Sequence, residues 1–516
     1  MCRSSVASGW LLLCIASVTF GSPPDIIMIA IDDLRPMLGC YGDTRVQSPN
    51  IDEIARRGVV FDHAYCQYAK CGTSRLSLMT GLRPDSVGVF SNNYKDVARF
   101  RKRQPKTHSI ARWLKDAGYH TQSFGKIYHD GWDSPDDWSM PSQPGREREM
   151  WEVVDARNPQ TPTRIADRLD CPAIQSPDVP DEHFFAGRMT QAVLQTLDEA
   201  PADKPLFLAI GYRRPHLPFV APRKYFDLYD PDESWLAANR EPSLQAPVMA
   251  WFNSDGYVGT AKRRGRMMPV RPDRLEAIQW NGYEMRSYQG IPDSGVLSDK
   301  QQIELQHAYA ACISYVDAQL GKVLDRLKAS DRYRDAILLL WSDHGWHLGE
   351  HSAWGKMTNF EVATRVPLII ASPQIASART DSIAELVDLY PTICDLAGIE
   401  PPQHLEGSSL VNVLRNPSTQ SESIALSQYA RFQDQFMGRA IRTKQYRYVA
   451  WFDQNNGRVV ARELYDHESD PNETENLAEQ ESHRETVQRL HSTLRQSFHL
   501  SRNGVTEHGG GENVSE

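Results

Sequence analysis

Three polar clusters follow directly on apolar runs, and their residue types suit metal binding and acid–base chemistry. The run from Asp25 to Ile31 ends in Asp32-Asp33, and Ala336 to Trp341 leads into Asp343-His344. Leu206 to Tyr212 leads into Arg213-Arg214-Pro215-His216. In open α/β sheets a ligand sits outside the carboxyl ends of the strands, so these residues are expected to converge at one rim. Three carboxylates at one rim raise one another's pKa unless a cation holds them. Oxygen donors favour calcium or magnesium, and one imidazole leaves manganese or zinc open. An isolated Asp-Asp pair is more often a turn or cap; its coincidence with Asp343-His344 is what points to a metal.

A fourth cluster is Cys71-Gly72-Thr73-Ser74-Arg75, a small polar turn that opens a short apolar stretch. A thiol there is a nucleophile if a helix N-terminus and Arg75 lower its pKa. By residue type alone, a buried structural cysteine is the plainer reading.

Positioning these groups requires strands and helices in alternation. Ser48-Pro49 reads as a cap followed by Pro at the first helical position, with Ile51, Ile54 and Ala55 as the apolar stripe and Gly58 as the stop. A second helix is expected from Thr107 to Gly118. Between 301 and 328, Ile303, Ala310, Val316, Leu320, Val323, Leu324 and Leu327 recur near helical spacing and predict a long core helix before the strand at 336–341. Val366 to Ile370 is a further run of strand length. The alternation predicts a doubly wound α/β sheet. Residues 134–182 and 220–300 lack periodicity and read as insertions at the rim of a site. Pro401-Pro402 marks a boundary, and β-like runs such as Tyr446 to Phe452 then predict a smaller α+β subdomain over 401–501. Residues 502–516, with Gly509-Gly510-Gly511, read as a disordered tail.

With 516 residues, 40% hydrophobic and 24% charged, the chain is of ordinary globular composition, long enough for one large and one smaller domain. A net charge of -9 speaks against a nucleic-acid binder, so an anionic ligand must meet local basic patches such as Arg99 to Lys106 or Lys262 to Arg266. Arg3, the apolar stretch Trp10 to Phe20 and Gly21-Ser22 have the order of a secretory signal over residues 1–22, and no later run reaches bilayer length. A secreted or periplasmic protein without a membrane span is therefore expected. Cys40, Cys66, Cys71, Cys171, Cys312 and Cys394 are dispersed, which fits neither a disulfide scaffold nor a thiolate zinc site.

Cys-x-x-Ser-Arg followed by Thr80-Gly81 resembles the signature of the type I, formylglycine-dependent sulfatases. Asp32-Asp33-Leu34-Arg35-Pro36, Gly125-Lys126-Ile127-Tyr128-His129, Gly211 to Phe219 and Ser342-Asp343-His344-Gly345-Trp346 resemble the iduronate-2-sulfatase branch of that family, in order. Arg439 to Tyr448 and Glu463-Leu464-Tyr465-Asp466 resemble its C-terminal subdomain, so nearly the whole chain is covered. The resemblance implies an alkaline-phosphatase-like domain over 23–400, with a mostly parallel sheet flanked by helices, and a small α+β subdomain. It implies one calcium per chain on Asp32, Asp33, Asp343, His344 and the modified Cys71. Arg75, Lys126, His129, His216 and Lys356 fall on the family's catalytic positions, His216 as general acid with Lys356 as the alternative, and His129 as base. Formylglycine would derive from Cys71 through a formylglycine-generating enzyme. The substrate implied is a sulfated, uronic acid-type sugar of a polysaccharide or its oligosaccharides.

Thr73 stands where the usual modification signature has Pro or Ala. Two other functions stay open on that account: a phosphate-ester hydrolase using Thr73 or Ser74, and a non-catalytic sulfated-glycan binding protein with Cys71 unmodified.

Overall fold

The computed structural model describes residues 23–500 apart from 144, 146–151, 155–161, 165–166, 331 and 420–422. The expected secretory signal and the C-terminal tail lie outside the described residues, as does part of the first insertion.

An eight-stranded sheet carries the large domain. Its strands are β1 (Ile26–Ile31), β2 (Val59–Tyr65), β3 (His120–Gly125), β4 (Leu206–Tyr212), β5 (Ile337–Ser342), β6 (Arg365–Val366), β7 (Leu368–Ala371) and β8 (Ala378–Glu385). They run in the order β6-β2-β7-β5-β1-β4-β3, with β8 on β2. The contiguous strands β5, β1, β4 and β3 are parallel, β8 is parallel to β2, and β6 and β7 are antiparallel to theirs. The sheet is thus mostly parallel. Strands β1, β4, β5 and β7 are apolar at nearly every position because both faces are covered. Ile27, Ile29 and Ile31 enter one hydrophobic cluster, while Ile26, Met28 and Ala30 enter the other. Leu338 and Leu340 divide from Leu339 and Trp341 in the same way.

Helices α1 (Pro49–Arg57), α2 (Cys71–Thr80), α3 (Ile110–Asp116), α4 (Phe185–Glu199), α5 (Tyr283–Arg286), α6 (Asp299–Lys328), α7 (Leu389–Ala397) and α8 (Arg484–Ser497) accompany the sheets. For α1 the bounds follow Pro49 and Gly58, and Ser48 holds the N-cap position, but its side chain makes no capping bond. Asp317 of α6 instead accepts the first free N–H groups, from Asn50 (3.1 Å) and Ile51 (2.8 Å). The helix expected from 107 starts at Ile110, because the Ser109 side chain caps Arg112 N–H (3.1 Å). The run 366–370 is divided between β6 and β7 at Pro367, which has no N–H for the ladder. The long core helix starts on a reciprocal cap between Ser298 and Gln301.

Beyond residue 401 a four-stranded antiparallel sheet forms from β9 (Ala425–Arg431), β10 (Phe436–Arg442), β11 (Tyr446–Asp453) and β12 (Val459–Asp466). Leu490 and Leu494 of α8 pack with Ile441, Tyr448 and Leu464 of that sheet. No described helix is long and apolar enough to cross a membrane.

Candidate active site

Strand register brings the polar clusters level. Ile31 pairs with both Tyr212 and Ser342, and Gly125 pairs with Gly211. Asp32-Asp33, Arg213 to His216, Asp343-His344 and Lys126 therefore leave the same carboxyl edge of the sheet. Gly211 is required there: a Cβ would come within 2.2 Å of the Lys126 carbonyl. Helix α2 brings Cys71 to the same edge from below its first turn. All ten residues of α2 are buried, so it lacks the polar stripe by which a surface helix is recognised in a sequence.

Two overlapping groups, Asp32, Asp33, Cys71 and His216, and Asp33, Cys71, Asp343 and His344, offer donor atoms within 4.8 Å of one another. The Cys71 sulfur lies 3.2 Å from His344 Nε2 and 3.9 Å from Asp33 Oδ1. His344 Nδ1 faces the Gly345 carbonyl at 3.0 Å. That oxygen only accepts, so the proton sits on Nδ1 and the Nε2 lone pair faces the cluster. Asp33 is held at φ 60°, which aims its carboxylate inward while its N–H donates to Asp343 Oδ1 (3.1 Å).

Buried cations tie the carboxylates together. Arg75, fully buried, donates to Asp32 (3.0 Å) and Asp343 (2.9 Å) and also to the Lys126 and Ile127 carbonyls. Lys126 Nζ is 2.6 Å from Asp32, and Lys356 Nζ is 3.0 Å from both Asp33 oxygens. Burial opposes ionisation of Asp32, yet Lys126 and Arg75 hold its carboxyl well below the usual range. At Asp33 burial prevails over Lys356 and pushes the carboxyl well up. The Cys71 thiol is pushed up to about 11, chiefly by burial. Lys126 and Lys356 are both raised despite burial, by Asp32 and Asp33 respectively, and stay charged. A donor set of three carboxylates and one bare imidazole nitrogen, with one carboxyl kept from ionising chiefly by burial, fits a hard divalent cation.

Above the cluster opens a cavity of about 310 Å³, lined by Cys71, Lys126, His129, His216 and Lys356 among others. His216 Nδ1 donates to the Leu217 carbonyl (2.7 Å), leaving Nε2 3.8 Å from both Asp33 and Glu284. Burial and Lys356 hold its pKa well down. His129 falls to about 3 through burial and Lys126, and its buried Nδ1 has no hydrogen-bond partner. Both rings are neutral. His347 lies apart, bonded to Thr358 (2.8 Å) and the Glu350 carbonyl.

The cavity also gathers residues that no sequence motif marked: Lys70, Asn92, Asp130, Tyr257, Glu284 and Met357. Asn92 accepts from Gly72 N–H (3.2 Å), and Glu284 pairs with Lys356 (3.3 Å). Asn92, Tyr257 and Glu284 come from aperiodic segments, and a lysine before a cysteine carries no pattern of its own. Thr73 and Ser74 are buried away from the cavity, Ser74 donating to the Asp343 carbonyl (2.5 Å). Neither is placed to attack a bound ester.

The sulfatase family model matches residues 24–399, and a model of the N-sulphoglucosamine sulphohydrolase C-terminal region matches 349–499. Human iduronate 2-sulfatase is 30% identical over 88% of this chain and 90% of its own. Among solved structures, a 2-O GAG sulfatase matches with a TM-score of 0.65 at 21% identity, over 92% of each chain. The phosphonate monoester hydrolase of Agrobacterium radiobacter matches with a TM-score of 0.69 at 20% identity, over 92% of this chain and 95% of that one. At such identities the structural matches speak for the fold, which is that of the alkaline-phosphatase-like hydrolases.

Proposed function

The chain belongs to the sulfatase family and is a sulfuric ester hydrolase, and from that premise we propose that it removes sulfate from a uronic acid-type sugar of a glycosaminoglycan or similar polysaccharide, using formylglycine at position 71 and one calcium ion. The observation that carries this reading is the meeting of Asp32, Asp33, Asp343, His344 and Cys71 beneath one basic cavity. The iduronate 2-sulfatase relatives and the 2-O GAG sulfatase neighbour support the substrate class. The same reading takes 23–400 as the catalytic unit and 401–501 as its subdomain. It also takes residues 1–22 as an export signal, and a formylglycine-generating enzyme as the maturation partner.

In formylglycine the Cβ of residue 71 would be the aldehyde carbon, and the Cys71 sulfur stands where one of its oxygens would be. Calcium on Asp32, Asp33, Asp343, His344 and position 71 would supply charge that favours an ionised oxygen there. As a hydrated aldehyde, position 71 would offer one hydroxyl to attack sulfur and a second whose deprotonation allows sulfate to leave. Lys126 and Lys356 lie where they offset charge on the sulfate oxygens, and Arg75 fixes the two carboxylates. Neutral His129 at the cavity wall suits the base for the second hydroxyl. For the acid, the charge state favours Lys356 over His216: the lysine holds its proton, whereas His216 presents a bare Nε2.

Mass spectrometry of the Cys71 peptide, from protein made alongside a formylglycine-generating enzyme, tests the reading together with sulfate release from aryl and sugar sulfates. Loss of mass corresponding to thiol-to-aldehyde conversion and sulfate release abolished by Cys71→Ala are expected. An unmodified thiol in active protein would overturn it, and phosphate release exceeding sulfate release would favour the phosphate-ester hydrolase.

A further inference from the structure

We propose that Lys70 is the binding position for a second anionic group of the substrate, a carboxylate or a second sulfate, beside the sulfate ester under hydrolysis; this rests on the sulfatase reading above. Lys70 is the residue before Cys71, and its carbonyl accepts the Ser74 N–H (3.0 Å) as α2 begins, so its backbone is fixed next to the reacting position. Its side chain is half-buried on the cavity wall.

Charge pairing in the cavity singles it out. Arg213 is matched by Asp130, Lys126 by Asp32, and Lys356 by Asp33 and Glu284. Among the described residues, no carboxylate forms an ion pair with Lys70. Asp255, itself 3.8 Å from Arg431, and Asp434 act on it only from farther away. With a divalent cation in place, that ion and Arg75 balance Asp32, Asp33 and Asp343. Lys126 and Lys356 then exceed Glu284 by one charge, which a sulfate monoester cancels. Among the groups that line the cavity one positive charge remains, and it is on Lys70, with Asp434 outside the cavity and beyond ion-pair distance. A half-buried ammonium without an ion-pair partner gains from an anion brought beside it, so a ligand that carries a second anion there is favoured over one that does not.

The test compares wild type with Lys70→Met, Lys70→Glu and Lys70→Arg, rates being normalised to formylglycine content because the substitution adjoins Cys71. The substrates are methyl 2-O-sulfo-iduronide, its analogue with hydroxymethyl in place of the carboxylate, a disulfated pyranoside lacking a carboxylate, and 4-nitrophenyl sulfate. Lys70→Met is expected to lower the kcat/KM preference for the doubly over the singly charged sugars by about tenfold or more, through KM. Lys70→Glu should lower it further, and Lys70→Arg should restore most of it. Whichever doubly charged sugar loses more identifies the anion as carboxylate or sulfate. A preference unchanged in all three variants would overturn the proposal. If wild type hydrolyses none of these esters, the sulfatase reading of the site fails instead. The Lys70 proposal is then decided by calorimetric binding of the sulfated iduronide: binding weakened in Lys70→Met supports it, and equal affinity overturns it.

Discussion

Thr73 sits in the first turn of α2, fully buried, with a hydroxyl that has no hydrogen-bond partner. A buried unsatisfied hydroxyl costs about 1–3 kcal/mol. Thr73→Val should therefore leave the fold as stable or raise it by about 1 kcal/mol in a denaturant titration; a loss of more than that would mean the hydroxyl is bonded. The same position departs from the usual modification signature, and its N–H precedes the first intrahelical bond, Ser74 to Lys70. Proline is tolerated there, so Thr73→Pro should fold normally and raise the fraction of formylglycine found by peptide mass spectrometry. At this scale the sequence was informative where a polar residue ends an apolar run, as at Asp32, Asp33, Asp343 and His344. It was silent on Glu284 and Tyr257, which reach the cavity from segments whose path no periodicity predicts.

Between elements, a buried ion-pair network joins the two sheets. Glu361, just before β6, pairs with Arg442 of β10 (3.1 Å) and with Arg447 of β11, and Tyr65 of β2 donates to its other oxygen (2.9 Å). Glu473 accepts from Arg447 (2.6 Å), His467 (3.0 Å) and the Glu361 N–H (2.8 Å). Glu361, His467 and Glu473 have metal-like spacing, but two guanidiniums already supply the charge. Burial raises the Glu473 carboxyl, yet Arg447 and His467 outweigh it and hold it at about 2. A depressed carboxyl contributes stability above its unfolded pKa, near 4.5, and that contribution is lost as pH falls through about 2. Glu473→Gln should cost about 3–5 kcal/mol at neutral pH, and its deficit against wild type should shrink between pH 4.5 and 2 in acid-unfolding curves. A constant deficit would contradict the assignment. The contacts of Glu361 were invisible in the sequence because each spans more than 80 residues. Strands β1, β4, β5 and β11 were legible from their apolar runs, and β6 and β7 as one run that Pro367 divides; β2, β3 and β8 carry polar residues and were not.

Across the whole molecule, the candidate metal cluster draws on strand ends and loops separated by some three hundred residues, from Asp32 to His344, so an ion held there would link both halves of the large domain. Without a divalent ion, Lys126, Lys356 and Arg75 neutralise the carboxylates in part, and Asp33 still resists ionisation. An ion that binds only the folded state stabilises it by about 2.7 kcal/mol when present at 100 times its Kd. Calcium added to chelator-treated protein should therefore raise Tm progressively with concentration, and magnesium should do so less because it demands a tighter octahedral shell than this set of side chains offers. Asp33→Asn removes one charge from the ligand set and relieves the burial cost of the carboxylate. The variant's Tm should therefore rise far less with calcium than that of wild type. That contrast separates a metal site from a purely structural ion-pair cluster, for which calcium would be without effect in either protein.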